Sequence, residues 1–337
     1  MSARIEPAVT TAPAGTAPAL RVLLGLAGAA AAVAPVFLLE GFHLFQLTLA
    51  VISALAVLGL NLVTGYSGQI SLGHGAFYAI GAYTTVLLME HAGWSFWPTL
   101  PVAAAVCALV GFSVGFPALR LGGLYLALVT FSLAVAVPQI LKHKSIEGWT
   151  GGVQGLFITK PEPPAWLPVA LTADQWMYLV ALGVAAVMYW MAWNLIHSRI
   201  GRALMAIRDN PTAAEAMGMD IAMLKTRVFA VSAMITGVAG SLSAVAVEFV
   251  APDSFGFFVS ITFFVGMVVG GVASILGSIF GGLFVVFVPN IAETISRAAP
   301  GVIYGVILIL FLFLLPDGVA GLLRRLAARI RRRPREP

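Results

Sequence analysis

Residues 65–68 read Gly-Tyr-Ser-Gly, a G-x-S-G pattern whose serine has the type and setting of a nucleophile. Such a serine needs a histidine base held at the same depth by another element. His43, His91, His143 and His197 fall at the ends of apolar runs or in loops, and His74 is close to Ser67 in sequence. Four-residue patterns also arise easily in a chain with 35 glycines, so an intramembrane protease is a weak reading. The five histidines have no ligand-like spacing and no acidic cluster beside them, so no metal site is expected. Cys107, the single cysteine, excludes a disulfide framework and reads as a small buried hydrophobe. No GxxxxGK[ST] phosphate loop occurs, nor any Gly-Lys pair, so no cofactor is expected and ATP chemistry must lie elsewhere.

A different chemistry suits the stretch "NLVTGYSGQISLGHGAFYAIGAY", residues 61–83. It has no formal charge, yet it is crowded with neutral polar groups. Each of Gly65, Gly68, Gly73 and Gly75 weakens a helix by roughly 1 kcal/mol relative to Ala. Inside a membrane, irregular backbone survives only where protein or a water-filled cavity surrounds it. The stretch therefore predicts a helix interruption over 64–74, or the tight end of a hairpin, facing the bundle interior. Asn61, Gly65, Ser67, Gly68, Gln69, Ser71, Gly73 and His74 become candidates for lining a translocation path. Dipoles without fixed charge suit a zwitterion, because a buried charge is costly and traps its opposite. The competing reading is a short turn plus a small-residue packing seam through Gly73, Gly75, Gly81 and Ala82.

The elements that must position these residues follow from composition. The chain has 337 residues, 60% of them hydrophobic and 10% charged, with mean hydropathy +0.98. Soluble domains carry roughly 25% charged residues. Long charge-free runs recur, and those at 41–89 and 254–292 have room for two spans each at about 20 residues per crossing. Ten spans are expected, near 20–39, 43–63, 74–90, 97–117, 123–141, 175–196, 227–249, 257–274, 276–292 and 301–316. The fold class is an all-α polytopic membrane protein. The alternating ten-residue segments of a β-barrel are absent from the sequence. Residues 1–19 read as a disordered cytoplasmic tail. "RVLLGLAGAAAAVA" has the look of a secretory signal, but its apolar run continues to Leu39 and favours an uncleaved first span. The Gly-rich "VGGVASILGSIFGGLF", with Gly270, Gly271, Gly277, Gly281 and Gly282, resembles the 61–83 break and suggests an internal repeat.

Ten crossings place both termini on one side. That side receives Arg4, Arg21, Arg120, the group Arg199, Arg202, Arg208, Lys225 and Arg227, and seven arginines from Arg324 to Arg335, which is 15 of the 19 basic residues. Lys142, Lys144, Lys160 and Arg297 fall opposite. The bias predicts N-in, C-in, and 318–337 becomes a basic cytoplasmic tail at an anionic lipid surface rather than a nucleic-acid patch. The segment 142–174 then lies outside and 197–226 inside.

In 197–226, Asn210 suits a helix N-cap and Pro211 the first helical position, with Gly218 able to end the short helix. Ile200, Leu204 and Ile207 are spaced to share a face of a preceding helix, with Arg202 and Arg208 off it. Two short helices around a proline turn suit either an amphipathic connector on the lipid surface or docking into a partner's groove.

"AIRDNPTAAEAMGMDIAMLKTRVFAVSAMITGVAGSL" (206–242) resembles the coupling loop of ABC-importer permeases, in the form used by the branched-chain amino-acid (LivM/LivH-type) permease family. Ala213, Ala214, Glu215, Ala216 and Gly218 stand in the neighbourhood of that family's loop, although the general pattern puts Glu before the two alanines. "GYSGQISLGHGAFYAIGAY" is similar to the family's Gly/Ser-rich signature, and "TGGVQGL" (150–156) resembles the external segment of LivM-like members. The resemblance implies a BtuC/LivM-type permease fold in a bacterial inner membrane. It implies a second, LivH-like permease, two ATP-binding cassette subunits that bind ATP and Mg, and a periplasmic substrate-binding protein. It further implies a coupling surface built from Arg202, Ala203, Ile207, Arg208, Asn210, Pro211, Ala214, Glu215, Met217 and Gly218. The substrate class is branched-chain or other hydrophobic amino acids, with urea or short amides the alternative. An ion-coupled secondary transporter is the other rival, but Glu248, Asp253 and Glu293 lie near span ends rather than deep in the bundle.

Overall fold

A computed structural model of the chain describes residues 28, 30–39, 41–118, 123–164, 171–295 and 299–331. The expected tail 1–19, residues 20–27 and 29 of the expected span 20–39, and Arg4, Arg21, Arg120, Arg297, Arg332, Arg333 and Arg335 lie outside the described residues. The chain divides into two units, 1–39 and 40–337. In the first, a short helix α1 covers Pro35–Leu38.

The second unit is a helical bundle. Its long helices are α2 (Gly41–Asn61), α3 (His74–Ala92), α4 (Phe96–Ala118), α5 (Gly123–Leu141), α7 (Ala173–His197), α10 (Ile221–Val247), α11 (Phe257–Gly270), α12 (Ile275–Ile295) and α13 (Pro300–Leu314). Shorter helices are α6 (Glu147–Thr150), α8 (Arg199–Asp209), α9 (Pro211–Ala216) and the C-terminal α14 (Gly318–Arg331). Six segments among the described residues are long and apolar enough to cross a membrane: Gly41–Tyr66, Phe96–Pro117, Ala173–His197, Ile221–Val247, Pro252–Gly270 and Ile275–Ile295. Tyr125–Leu141 and Gly301–Phe311 are apolar but shorter. The chain is thus a multi-pass helical membrane protein.

Two helices form the centre. In the apolar stretches of α2 and α10, 78% of residues are buried, against 28% in α4 and α7. α10 packs against α2, α3 and α4, while α12 packs against α2 and α11. The α3–α10 contact is close because it is lined with small residues. A Cβ on Gly81 would fall on the Gly237 carbonyl, and one on Gly240 would fall on the Tyr78 carbonyl. The seam expected through Gly81 is therefore present, and Cys107 is buried beside it with Sγ 3.5 Å from the Phe77 carbonyl oxygen.

The two ends of the bundle differ. At one, Lys142 pairs with Asp253, and Lys160 pairs with Asp174 at 2.8 Å and with Glu248 at 3.4 Å. There β1 (Leu156–Phe157) and β2 (Phe249–Val250) form an antiparallel pair, with Leu156 opposite Val250. Glu248, at φ 63, ends α10 and binds this cap twice, its carbonyl accepting from Ile158 N and its Oε1 from Lys160 N. The other end carries the π-helical end of α2, α8, α9, the 271–274 turn and α14. Arg199, Arg202, Arg208, Arg324 and Arg325 sit on its elements.

Candidate functional site

α2 does not end cleanly. After Asn61 it widens into a π-helical turn, Leu62–Tyr66, and residues 67–73 are not helical. α3 begins at His74. The interruption expected over 64–74 is present, and three polar clusters hold it.

Asn61 (1% exposed) spends its whole amide on the second break. Its Nδ2 donates to the Ser274 and Gly271 carbonyls at 2.9 and 3.3 Å, and its Oδ1 accepts from Ala273 N at 2.8 Å. That turn contains Gly271 at φ 125 and Ala273 at φ 55. The two Gly-rich breaks that looked alike in sequence thus meet, joined by one side chain.

His74 is fully buried between the Phe77 and Phe229 rings. Its Nδ1 lies 3.0 Å from Ser71 Oγ and its Nε2 lies 2.6 Å from Ser232 Oγ. Ser232 Oγ donates to the Gly59 carbonyl at 2.5 Å, so its single proton is used there. Ser232 can then only accept from His74, which fixes the proton on Nε2 and makes Nδ1 the acceptor for Ser71. The chain Ser71–His74–Ser232–Gly59 ties α3, α10 and α2 together. Both ring nitrogens are committed, and Ser67 accepts from Gln69 Nε2. The Ser67–His74 pair that nucleophilic chemistry would need is therefore not formed.

Further along, Leu72 N donates to Thr130 Oγ1 on α5 and Gly75 N to Ser260 Oγ on α11. Of the path candidates, Asn61, Ser67, Gln69, Ser71 and His74 are all buried, gathered around the break. Thr64 Oγ1 and Gln69 Oε1 are buried without a hydrogen-bond partner. Sequence reasoning missed Thr130, Ser232 and Ser260. Their signal was a hydroxyl residue in an apolar helix, the usual cross-helix partner in a membrane.

The loop 197–226 folds as its capping residues dictate. Ser198 Oγ accepts from Ile200 N and Gly201 N to start α8. Asn210 Oδ1 accepts from Ala213 N at 3.0 Å to start α9, with Pro211 in the first turn, and Gly218 follows it at φ 81. Asp220 Oδ1 accepts from Met223 N to start α10.

Burial corrects the assignment of faces. Leu204 and Ile207 are each 1% exposed, but Ile200 is 37% exposed, and Gly201 takes the inward position instead. Ile207 and Ala214, both expected on a coupling surface, point into the protein, because they are the apolar residues that seat α8 and α9 against it. Met217, at 81%, is the most exposed large apolar residue of the loop. Arg202, Asn210, Pro211 and Glu215 are exposed and Ala203 is half-buried. Arg208 does more than sit on the outer face: its Nη1 donates to the Gly65 carbonyl at 2.9 Å. Gly68, at φ 71, leaves room for the Arg208 stem, which a Cβ there would meet.

Comparison with known proteins places this architecture. A family model described as "Branched-chain amino acid transport system / permease component" matches residues 42–315. The high-affinity branched-chain amino acid transport system permease protein LivM of Escherichia coli (strain K12) is 32% identical over 300 residues, covering 82% of this chain and 69% of its own. BraD of Pseudomonas aeruginosa, described in the same words, is 25% identical over 311 residues, covering 84% and 97%. LivH of Escherichia coli (strain K12) is 26% identical over 306 residues, covering 81% and 92%. No solved structure matches the chain. A family match over most of the sequence, on a multi-pass helical bundle with both of its Gly-rich breaks interlocked, shows that this chain belongs to the permease-component family of branched-chain amino acid transport systems.

Proposed function

We propose that this permease subunit translocates branched-chain or other hydrophobic amino acids inward by alternating access, driven by ATP hydrolysed on separate subunits. The observation that carries the reading is the Arg208–Gly65 hydrogen bond, which joins the loop that would meet an ATPase to the broken helix that would line the path. The partners are a second, LivH-like permease, two ATP-binding cassette subunits holding ATP and Mg, and a periplasmic binding protein. The relatives' names support the substrate class.

In this reading the protein sits in a bacterial inner membrane with about ten spans, N-in and C-in, in a BtuC/LivM-type fold with an internal repeat. The arginine-bearing end then faces the cytoplasm, consistent with the positive-inside rule. The exposed Arg202, Asn210, Pro211, Glu215, Met217 and Gly218 meet the ATPase, while Ala203, Ile207 and Ala214 seat the lever. Gly65, Gly68 and Gly73 permit the break, and Asn61, Ser67, Gln69, Ser71 and His74 offer dipoles to the solute as it opens. The buried, unpartnered Thr64 Oγ1 and Gln69 Oε1 support a polar path there.

The decisive experiment is uptake of radiolabelled leucine into proteoliposomes carrying this chain with the co-expressed subunits of its gene cluster. ATP-dependent leucine uptake is expected, with none from the chain alone under a proton or sodium gradient. Gradient-driven uptake by the chain alone overturns the reading in favour of a secondary transporter. Uptake of urea in place of leucine moves the substrate class.

A further inference from the structure

A cavity of about 700 Å³ opens at the arginine-bearing end, between α7, α8, the start of α12 with Ser274 before it, and α14. Its walls are mostly apolar, with Trp193, Leu276 and Leu323 among them, and Arg202 and Arg324 also line it. Arg202 donates from Nη1 to the His197 carbonyl at 3.2 Å, a neutral acceptor. Among the described residues, the ion pairs at this end are Arg208 with Asp209 and Arg325 with Asp317. Among the described residues, neither Arg202 nor Arg324 is paired with a carboxylate. Two uncompensated guanidinium groups sharing an apolar cavity call for an anion whose remainder is apolar.

The surroundings of the cavity favour one such anion. Val187, Trp190 and Trp193 are exposed at three-residue spacing along α7, and Leu276 and Ile279 are exposed on α12. These exposed faces lead from the cavity into the length of two helices that are apolar enough to span the bilayer. A free phosphate would meet the arginines but leave those walls bare, and a soluble partner would reach only the charged rim. Trp193 stacks on His197 with ring centroids 4.2 Å apart near the last turn of α7, and amphipathic rings of this kind are enriched at membrane interfaces. Guanidinium groups bind phosphate oxygens through paired N–H donors, and basic pockets between membrane helices on the cytoplasmic side hold anionic headgroups.

We propose that this cavity seats one anionic phospholipid, its phosphate held by Arg202 and Arg324 and one acyl chain lying along Trp193 and Leu276. The site depends on the membrane placement of this end, not on substrate or direction of transport, and it would take Arg202 out of the set proposed to meet the ATPase.

The test uses the full-length protein in detergent with an equimolar mixture of phosphatidylglycerol and phosphatidylcholine, read by native mass spectrometry. At about fivefold per interfacial arginine, phosphatidylglycerol should be retained about 25-fold over phosphatidylcholine. Arg202→Ala with Arg324→Ala should bring retention to parity, and Arg202→Lys with Arg324→Lys should largely preserve it. Leu276→Trp, which adds bulk on the acyl-chain wall and leaves both charges, should also reduce retention, so the test survives a misfolded double variant. Equal retention of both lipids by the native protein overturns the site. Displacement by inorganic phosphate reduces it to a free-anion site, and undiminished retention by Leu276→Trp reduces it to diffuse surface charge; either result overturns the proposal. Leucine uptake is not read, so failure here leaves the transport reading untouched.

Discussion

The Arg208 guanidinium donates through Nη1 to the carbonyl oxygen of Gly65, 2.9 Å away and 143 residues earlier in the chain. One partner lies on the amphipathic helix α8 and the other in the π-helical end of α2. In the proposed mechanism a push on α8 would be delivered to the segment where α2 loses regular structure. Arg208→Ala should weaken transport about tenfold or more in the assembled importer while ATP hydrolysis persists. Arg208→Lys should fall between the two, because a flexible ammonium lacks the planar fork that fixes the geometry. Paired uptake and phosphate-release assays on the same proteoliposomes check both. Equal loss of both activities would mean that Arg208 serves assembly rather than coupling.

Asn61 is the other long-range tie. Replacing it with Ala strands the Ala273 N–H and the Gly271 and Ser274 carbonyls in a buried turn. Each unsatisfied group costs about 1–3 kcal/mol, so Asn61→Ala should lower the melting temperature in detergent by roughly 5 °C or more. Asn61→Asp keeps the acceptor for Ala273 N but loses the donor and sets a carboxylate against two carbonyls, so it should be no better. Thermal unfolding followed by intrinsic fluorescence reads the comparison. A melting temperature within a degree of the native value for both variants would show that the 271–274 turn holds itself.

How much of this was legible in the sequence depended on whether the signal was local. Charge-free runs located the helices, since each needs only its own residues to satisfy its backbone in lipid. Asn210, Pro211 and Gly218 announced α9 because capping is decided within a few residues. Four glycines and five polar residues announced the break after Asn61. What that break touches was not legible. Ser232 and Ser260 lie 158 and 185 residues from the groups they meet, and a serine in an apolar helix does not say which neighbour it will face. The orientation of α8 was half legible for a related reason: spacing identified a face, and packing then put Gly201 inward where Ile200 was expected.

Lys160 closes the opposite end. Burial works against its charge, but the hydrogen bond to Asp174 and the Asp174 and Glu248 carboxylates outweigh it, holding the ammonium above the ordinary 10.5. A folded-state value raised above the unfolded one stabilises below the unfolded value, and the gain is lost as pH rises through the folded value. The native protein should therefore lose stability above about pH 10.5 through this group, whereas Lys160→Met should already lack the contribution at pH 8. Both carboxylates are more than a third exposed, so solvent screening limits the difference to about 1 kcal/mol, or roughly 1–2 °C. Melting curves between pH 8 and 11 test the sign. A gap between native and variant that widens with pH would contradict the assignment.

Gly218 and Glu215 separate the two roles of the 197–226 loop. Gly218 takes φ 81 two residues after the end of α9, and no atom beyond its chain neighbours lies within 4 Å of where its Cβ would be. A side chain there fits sterically, so any cost comes from the left-handed backbone and from what approaches the surface in the assembled importer. Gly218→Ala carries only the first, about 1 kcal/mol, and should lower stability slightly while transport survives. Gly218→Trp adds bulk at the proposed docking face and should abolish uptake without impairing membrane insertion. Glu215→Arg reverses an exposed charge that has no ion-pair partner among the described residues, so its effect on the isolated subunit should be within about 0.5 kcal/mol. Its effect on ATP-driven uptake should be about tenfold or greater if that face meets the ATPase. Near-native uptake by both Glu215→Arg and Gly218→Trp would remove α9 from the coupling surface and leave it as a connector lying on the lipid.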